Sequence, residues 1–304
     1  MNFAAAREMA PYLEEPKAMP VGTPGKTGYL RLGFETDDEG RSILRDWERR
    51  APLIVQQALY FDEELPDMPC VYILSSGGPN VDGDRYEQHF VLREGAFAHV
   101  STGAATKLAE MRYNYSGLTQ RFDLAPGSYL EYLPEPTIPC RHTRFIADTS
   151  IRIDPTATLF YSEIYLSGRK YFAGGERFRY DILSVCTHAE RPDGRQLFRE
   201  KFIIRPETYS PDTLGAMNGY DVFANVIVLT PPEHAEALFE RTDAFIDRDR
   251  RLAAGISRLP NGCGVLYKAL GSETEPVKRL VRAFCSAVRL EVKGRPLPEE
   301  FPWR

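Results

Sequence analysis

Long hydrophobic runs are missing from the chain of 304 residues, and with them the membrane-spanning helix: no stretch approaches the roughly 18 apolar residues that a transmembrane helix needs. The opening residues, Met1 to Pro20, are broken by Arg7, Glu8, Glu14, Glu15 and Lys17, which leaves no apolar segment for a secretory leader, so a cytosolic protein is expected. Cysteine is scarce and odd in number. Cys70, Cys140, Cys186, Cys263 and Cys285 lie far apart with no Cys-x-x-Cys pair, a usage that suits reduced thiols rather than a disulfide framework. A strong charge of one sign is lacking too: the net charge is -5, the pI is near 5.7, and Lys and Arg are scattered, which excludes a basic nucleic-acid footprint.

Catalytic signatures are equally thin. No Gly-x-Ser-x-Gly elbow is present, so Ser/His/Asp catalysis has no support. The five histidines (His89, His99, His142, His188, His234) form no His-x-x-x-His pair. Cys140-Arg141-His142 stands out as a Cys/His neighbour pair, read as offering one side chain, not two, to a common ligand. Gly22-Thr23-Pro24-Gly25-Lys26-Thr27 ends like a phosphate-binding loop. It has Pro20 where that motif needs glycine, no buried strand before it and no helix after it.

What is there is β structure. Hydrophobic residues make up 43% of the chain, enough for a sizeable core in one large β domain or two smaller ones. Residues 1–27 are Pro-rich and charged and read as a flexible surface arm, leaving 28–304 as a single domain with a β body over about 28–229 and a helix-containing part over about 230–290. Apolar or alternating runs such as Tyr29 to Phe34, Leu53 to Tyr60, Val71 to Leu74, Ala96 to Thr102, Tyr129 to Leu133, Thr143 to Ile153, Leu159 to Leu166, Tyr180 to Thr187 and Leu197 to Ile204 are separated by Gly and Pro turns. The stretch from Val71 to Lys107 is organised this way around Gly77-Gly78 and Gly83, and no helix fits there. Amphipathic segments of helix length are absent from the same region, which argues against βαβ units.

The last third changes character. Thr230-Pro231-Pro232-Glu233 has the form of a capping box, and Leu238, Phe239, Phe245, Ile246, Leu252 and Ala253 recur every seven residues, which predicts one helix ending near Gly255. A short strand, Gly264 to Tyr267, follows. Ser272 to Glu275 repeats the capping pattern, and Val277, Leu280, Val281, Phe284 and Val288 keep the rhythm of a second amphipathic helix.

Acidic residues beside turns are the most suggestive chemistry. Asp82 and Asp84 flank Gly83, Glu131 and Glu135 bracket Leu133-Pro134, Glu163 precedes Gly168-Arg169, and Glu176 follows Gly174-Gly175. Such carboxylates bind hard cations, act as an acid/base pair, or cap local backbone N–H groups, and spacing alone leaves the three open.

The sequence resembles the urease accessory protein UreD (UreH) family. The resemblance rests on Pro52-Leu53-Ile54-Val55-Gln56, Val71-Tyr72-Ile73-Leu74 with Gly77-Gly78 and Gly83-Asp84, Ala104-Ala105-Thr106-Lys107, Tyr132-Leu133-Pro134-Glu135-Pro136-Thr137-Ile138-Pro139, and Gly168-Arg169 with Gly175-Glu176-Arg177-Phe178. Two intervals, Gly78 to Gly83 and Arg169 to Gly175, are longer than the family pattern, and Gly103 stands where a larger residue is common.

The resemblance implies a mainly β fold, a large β-helix-like coil of strands with two C-terminal α-helices packed on it. It implies a maturation factor and not an enzyme, one that binds the urease apoprotein and the helical partner UreF, reaches the GTPase UreG through UreF, and assists delivery of transient Ni2+, with no tightly bound cofactor, no nucleic acid and no membrane. Asp84, Glu176 and Glu131 sit in or near the matching motifs and are the expected residues of a nickel path. Loose oxygen or imidazole ligands suit transfer, because tight thiolate sites would trap the ion. The rival expectation is a carbohydrate-active β-helix enzyme using an acid pair such as Asp84 and Glu176.

Overall fold

The computed structural model describes Phe3, residues 6–17 and residues 23–299. Two facing sheets contain most of it. The first has seven strands: β1 (Thr27–Thr36), β2 (Ser42–Arg50), β6 (Arg85–Leu92), β9 (Ser116–Leu124), β12 (Arg144–Ile153), β14 (Ile182–Glu190) and β15 (Gln196–Ile204). The second has twelve: β3 (Leu53–Ile54), β4 (Ala58–Leu59), β5 (Cys70–Ser75), β7 (Phe97–Thr102), β8 (Thr106–Leu108), β10 (Tyr129–Tyr132), β11 (Thr137–Pro139), β13 (Thr158–Leu166), β16 (Val222–Leu229), β17 (Phe245–Asp247), β18 (Leu252–Arg258) and β19 (Gly264–Gly271).

The chain passes from one sheet to the other and back. From β5 to β14 the main strands alternate between layers, and within each layer the successive strands pair in parallel: β1, β6, β9, β12 and β14 in the first, β5, β7, β10 and β13 in the second. The result is a coil of β strands, as the resemblance implied. Antiparallel strands flank it, β2 and β15 on the first sheet and the β16, β19, β18, β17 series on the second. The sheets do not close into a barrel. Parallel strands buried on both faces read as nearly continuous apolar runs, which is why β13 and β14 are legible in the sequence.

Two helices cover the outer face of the second sheet. The helix α2 (Thr274–Lys293) buries Val277, Val281, Phe284, Cys285 and Val288, and stacks Phe284 on Tyr267 of β19 at 4.4 Å between ring centroids. Gly294, at φ 71°, terminates it in the left-handed conformation. The helix α1 is shorter than the heptad pattern predicted. It spans Pro232–Arg241, and the residues expected to extend it to Gly255 form the hairpin β17–β18 instead. The charged turn Arg248-Asp249-Arg250-Arg251 breaks the segment, and pairing of β18 with β19 satisfies its backbone. The seven-residue spacing was a coincidence: Ile246 is 75% exposed, so no single stripe is buried.

Neither helix carries the expected side-chain cap. Pro231 is the N-cap of α1, and Thr230 shares a hydrogen bond with Thr158 Oγ1 at 2.8 Å; Glu273 is the N-cap of α2. The predicted strand Leu53 to Tyr60 is reduced to the short β3 and β4. The phosphate-loop-like Gly25-Lys26-Thr27 leads into β1, a strand and not a helix, while Pro20 and Gly22 lie outside the described residues.

The described part of the amino-terminal segment is docked. Met9 is fully buried in a cluster with Phe3, Tyr115, Ile146 and Ile182, and Glu8 accepts hydrogen bonds from Ser184 Oγ (2.7 Å) and Lys201 Nζ (2.5 Å).

Candidate functional site

Alternation along the strands sorts the interior of the coil into layers. At one end the inward positions are aliphatic: Leu92, Leu124, Ile153 and Leu159, all buried. Two residues along β6, β9 and β13 comes an aromatic layer, joined by Tyr132 of β10 and by Ile151 at the matching position of β12. Phe90 stacks on Phe122 at 4.7 Å, and Tyr132 stacks on Tyr161 at 5.6 Å with a 10° interplanar angle. Two residues further the layer is polar: Gln88 from β6, Gln120 from β9, Thr149 from β12 and Glu163 from β13.

This polar layer borders a cavity of about 420 Å3 between the sheets. Gln88, Gln120, Tyr132, Tyr161, Glu163 and Tyr165 line its inner part, and Gly78-Pro79-Asn80, Gly103 to Lys107 and Glu135 line it from the loops. Gln120 Nε2 donates to Gln88 Oε1 (2.8 Å) and lies 2.7 Å from the Tyr132 hydroxyl. Thr149 Oγ1 meets Gln120 Oε1 and the Tyr161 hydroxyl, each at 3.1 Å. At the loop side, Lys278 of α2 donates to both oxygens of Glu135 at 2.8 Å.

Glu163 is the ionisable member of this layer. The Tyr161 and Tyr165 hydroxyls lie 2.9 and 3.0 Å from its Oε1, while Oε2 has no hydrogen-bond partner. Burial raises its carboxyl, outweighing these hydrogen bonds, to about 7. The residue paired with it across β13 and β16 is Asn225, whose Oδ1 is also unpartnered while its Nδ2 donates to Glu200. A protonated Glu163 supplies a donor where a neighbouring acceptor lacks one. A carboxyl poised this way exchanges a proton near neutrality, and once ionised it offers oxygen to a cation.

The three acids expected on a nickel path occupy other places, and none lines this cavity. Asp84, fully buried, accepts from the backbone N–H of Lys26 (2.9 Å) and Val81 (3.0 Å) and from the Tyr86 hydroxyl (3.1 Å), and pairs with Lys26 Nζ at 2.8 Å. Its neighbour Asp82 accepts from the backbone N–H of Arg112, Tyr113 and Asn114. Glu176 is gripped by Arg169 through Nε and Nη2, both at 2.6 Å, and by the backbone N–H of Arg141 at 3.3 Å. Burial raises its carboxyl, but Arg169 and Arg141 outweigh this and hold it below the ordinary value. Glu131 lies beneath α2, bound by Arg289, His99 and Tyr129. Each carboxylate has its own cation in a separate part of the fold. Asp84 and Glu176 are therefore not the free, facing pair that glycoside hydrolysis requires.

Cys140-Arg141-His142 lies in a turn, where His142 has φ 55° and its Nδ1 meets Asp181 Oδ1 at 3.1 Å. The cavity residues were readable in principle: a glutamate inside the apolar run Leu159 to Leu166, and glutamines at inward positions of β6 and β9, are polar groups that a core must satisfy. A second Cys/His pattern, Cys186-Thr187-His188, lies within β14, where strand alternation puts its two ligand types on one face.

Fold and interior together define a β-coil scaffold: two stacked mixed sheets, each with a parallel central set of strands, around a polar cavity and backed by helices. The chain belongs to the UreD urease accessory protein family, whose profile matches residues 26–304. It is 49% identical over 298 residues to a protein of Brucella suis biovar 1 named urease accessory protein UreD 2, covering 98% of each chain. It is 46% identical over 305 residues to urease accessory protein UreD of Yersinia enterocolitica serotype O:8, covering 98% of this chain and 93% of the relative. Among the described residues no helix is long and apolar enough to cross a membrane.

Proposed function

We propose that this chain is a cytosolic docking and delivery scaffold for urease maturation. In this reading it holds the urease apoprotein, binds a UreF-type helical partner that brings the GTPase UreG, and gives Ni2+ a path during GTP-dependent insertion, while making and breaking no covalent bond itself. Family membership supports the maturation role, and five free cysteines suit a reducing compartment. The delivery part rests on one observation: Glu163, a buried carboxyl raised to about 7, stands in the wall of a polar cavity of about 420 Å3. Ni2+ in transit needs ligands that hold it weakly, and a carboxyl that titrates near neutrality loads and releases a cation at little cost. Asp84, Glu176 and Glu131 keep structural roles in this reading, because their oxygens are already taken.

The test is complementation of a strain lacking the gene, grown with scarce nickel. Glu163→Ala should cut urease activation severely while the variant still captures UreF in a pull-down. Full activation by Glu163→Ala overturns the path through the cavity. Failure of the wild-type chain to retain UreF or urease apoprotein overturns the scaffold role.

A further inference from the structure

We propose that Asp148, Cys186 and His188 form a binding site for a borderline divalent transition ion, of the Zn2+, Co2+ or Ni2+ class, on the outer face of the first sheet and separate from the interior cavity. Strand geometry brings the three together. Asp148 is paired with Cys186 across the parallel strands β12 and β14, and His188 lies two residues beyond Cys186 on the same face. Thr149, between Asp148 and Ser150, turns inward to Gln120 and Tyr161, which fixes the face of Asp148 as the outer one.

One ligand atom from each residue lies within 4.8 Å of the others. Ligands bound at about 2.0–2.3 Å around a four-coordinate ion stand roughly 3.5 Å apart, so side-chain adjustment alone closes the set. An independent observation points to a missing partner. Asp148 is 5% exposed and Cys186 6%, yet Asp148 Oδ1 and His188 Nδ1 are buried without hydrogen-bond partners. Buried polar atoms are nearly always paired, and two orphans in one cluster of oxygen, sulfur and nitrogen donors mark the position of a ligand.

The donor set selects the ion. Thiolate and imidazole favour borderline metals over Mg2+ or Ca2+, and three protein ligands leave a fourth position for water. On binding, the Sγ–H bond gives way to a metal–sulfur bond and the proton leaves to solvent; nothing is oxidised or reduced. The carboxylate and thiolate together cancel the charge of the ion. Arg199, hydrogen-bonded to Cys186, and Lys201, paired opposite Cys186, border the site from β15. Lys201 is already engaged by Glu8; burial raises the Cys186 thiol, and Arg199 offsets only part of that rise. The docked amino-terminal turn covers the next positions on the same strands, Ile146, Ile182 and Ser184, and so shields the cluster from one side.

The test is optical titration of the purified full chain with Co2+. Saturable binding with a thiolate-to-cobalt charge-transfer band is expected. Cys186→Ser should abolish the band, Asp148→Asn and His188→Gln should weaken binding at least roughly tenfold, and Cys140→Ser should change nothing. Thermal melts verify that each variant is folded, and the half-buried His188 provides a second reading should Cys186→Ser not fold. Glu163→Gln should leave the band intact, which separates this site from the interior path. No band in the wild type, a band that survives Cys186→Ser, or undiminished affinity in His188→Gln overturns the assignment.

Discussion

Arg289 of α2 meets Glu131 of β10 in a two-pronged ion pair, Nε to Oε1 and Nη2 to Oε2, each 2.7 Å, with both side chains fully buried. The remaining Nη1 reaches Asp62, His99 Nδ1 lies 2.8 Å from Glu131 Oε2, and the Tyr129 hydroxyl donates to Oε1 at 2.6 Å. A residue from the end of the chain thus ties the helix to the middle of the second sheet and to the loop that carries Asp62. Burial pushes the Glu131 carboxyl up, but the charge and hydrogen bonds of Arg289, with help from His99, outweigh this and hold it at about 2.

Removing one partner should therefore be costly. Arg289→Met leaves Asp62 and Glu131 as buried carboxylates without their cation, and a loss of about 3–5 kcal/mol is expected in urea denaturation. The double variant Arg289→Met/Glu131→Gln should lose less than the two single changes added together, because the Arg289–Glu131 pair is then lost once rather than counted twice, while Asp62 is left without its cation with or without the Glu131 change. The sign with pH follows from the lowered carboxyl. Stability from Glu131 is present above its ordinary 4.5 and is lost as pH falls toward about 2. In Arg289→Met that acid-side decline should flatten. Additive losses and an unchanged acid limb would contradict the pairing.

Glu163 should show the opposite limb. Its carboxyl is raised from 4.5 to about 7, so the unfolded chain binds fewer protons than the folded one between those values. Stability should accordingly fall as pH rises from about 4.5 to about 7, then level, by about 3 kcal/mol at most. Glu163→Gln keeps the shape and removes the titration. Its melting temperature should gain on that of the wild type as pH rises through this window, and parallel curves at pH 5 and 8 would show that the carboxyl is not buried as described.

The sequence made some of this visible and hid the rest for physical reasons. Strands such as β13 and β14 are buried on both faces and rich in apolar and β-branched residues, and α2 repeats its buried positions at helical spacing, so both are legible locally. The strands β6 and β9 are harder because Gln88 and Gln120 stand inward, where alternation leads one to expect hydrocarbon. The end of α1 was misjudged because edge pairing of β18 with β19, a contact made by tertiary structure, decides it. Acids at motif turns drew attention as metal ligands, yet turns are where carboxylates meet backbone N–H groups, as Asp82 and Asp84 do. The neighbours Asp148 and Cys186 are set by parallel register across strands 38 residues apart, which no local spacing reports.

Asp84 should therefore behave as an architectural residue. Asp84→Asn keeps the size but replaces an acceptor-only group by one that also donates, against two backbone N–H groups and Lys26 Nζ. A loss of about 2–3 kcal/mol is expected in chemical denaturation. Urease activation at permissive temperature should follow the remaining folded fraction. Activation abolished in a variant with wild-type stability would return Asp84 to the list of path residues.

Gly168 offers a test of the loop that holds Glu176. Its φ is +141°, a region that L side chains rarely adopt, and a Cβ there would stand 2.1 Å from the backbone oxygen of Glu176 and 3.0 Å from its carbonyl carbon. Backbone, unlike the end of a side chain, has nowhere to rotate. The obstructed carbonyl belongs to the residue gripped by Arg169, and the loop is closed by hydrogen bonds from Glu176 N to Arg169 O (3.2 Å) and from Phe178 N to Ser167 O (2.6 Å). Gly168→Ala should therefore open residues 168–178 and cost about 2 kcal/mol or more. Limited proteolysis is the direct readout, with new cleavage expected in the exposed Tyr171-Phe172 region. A variant as resistant and as stable as the wild type would mean that the loop relaxes around an added methyl group without surrendering the Arg169–Glu176 pair.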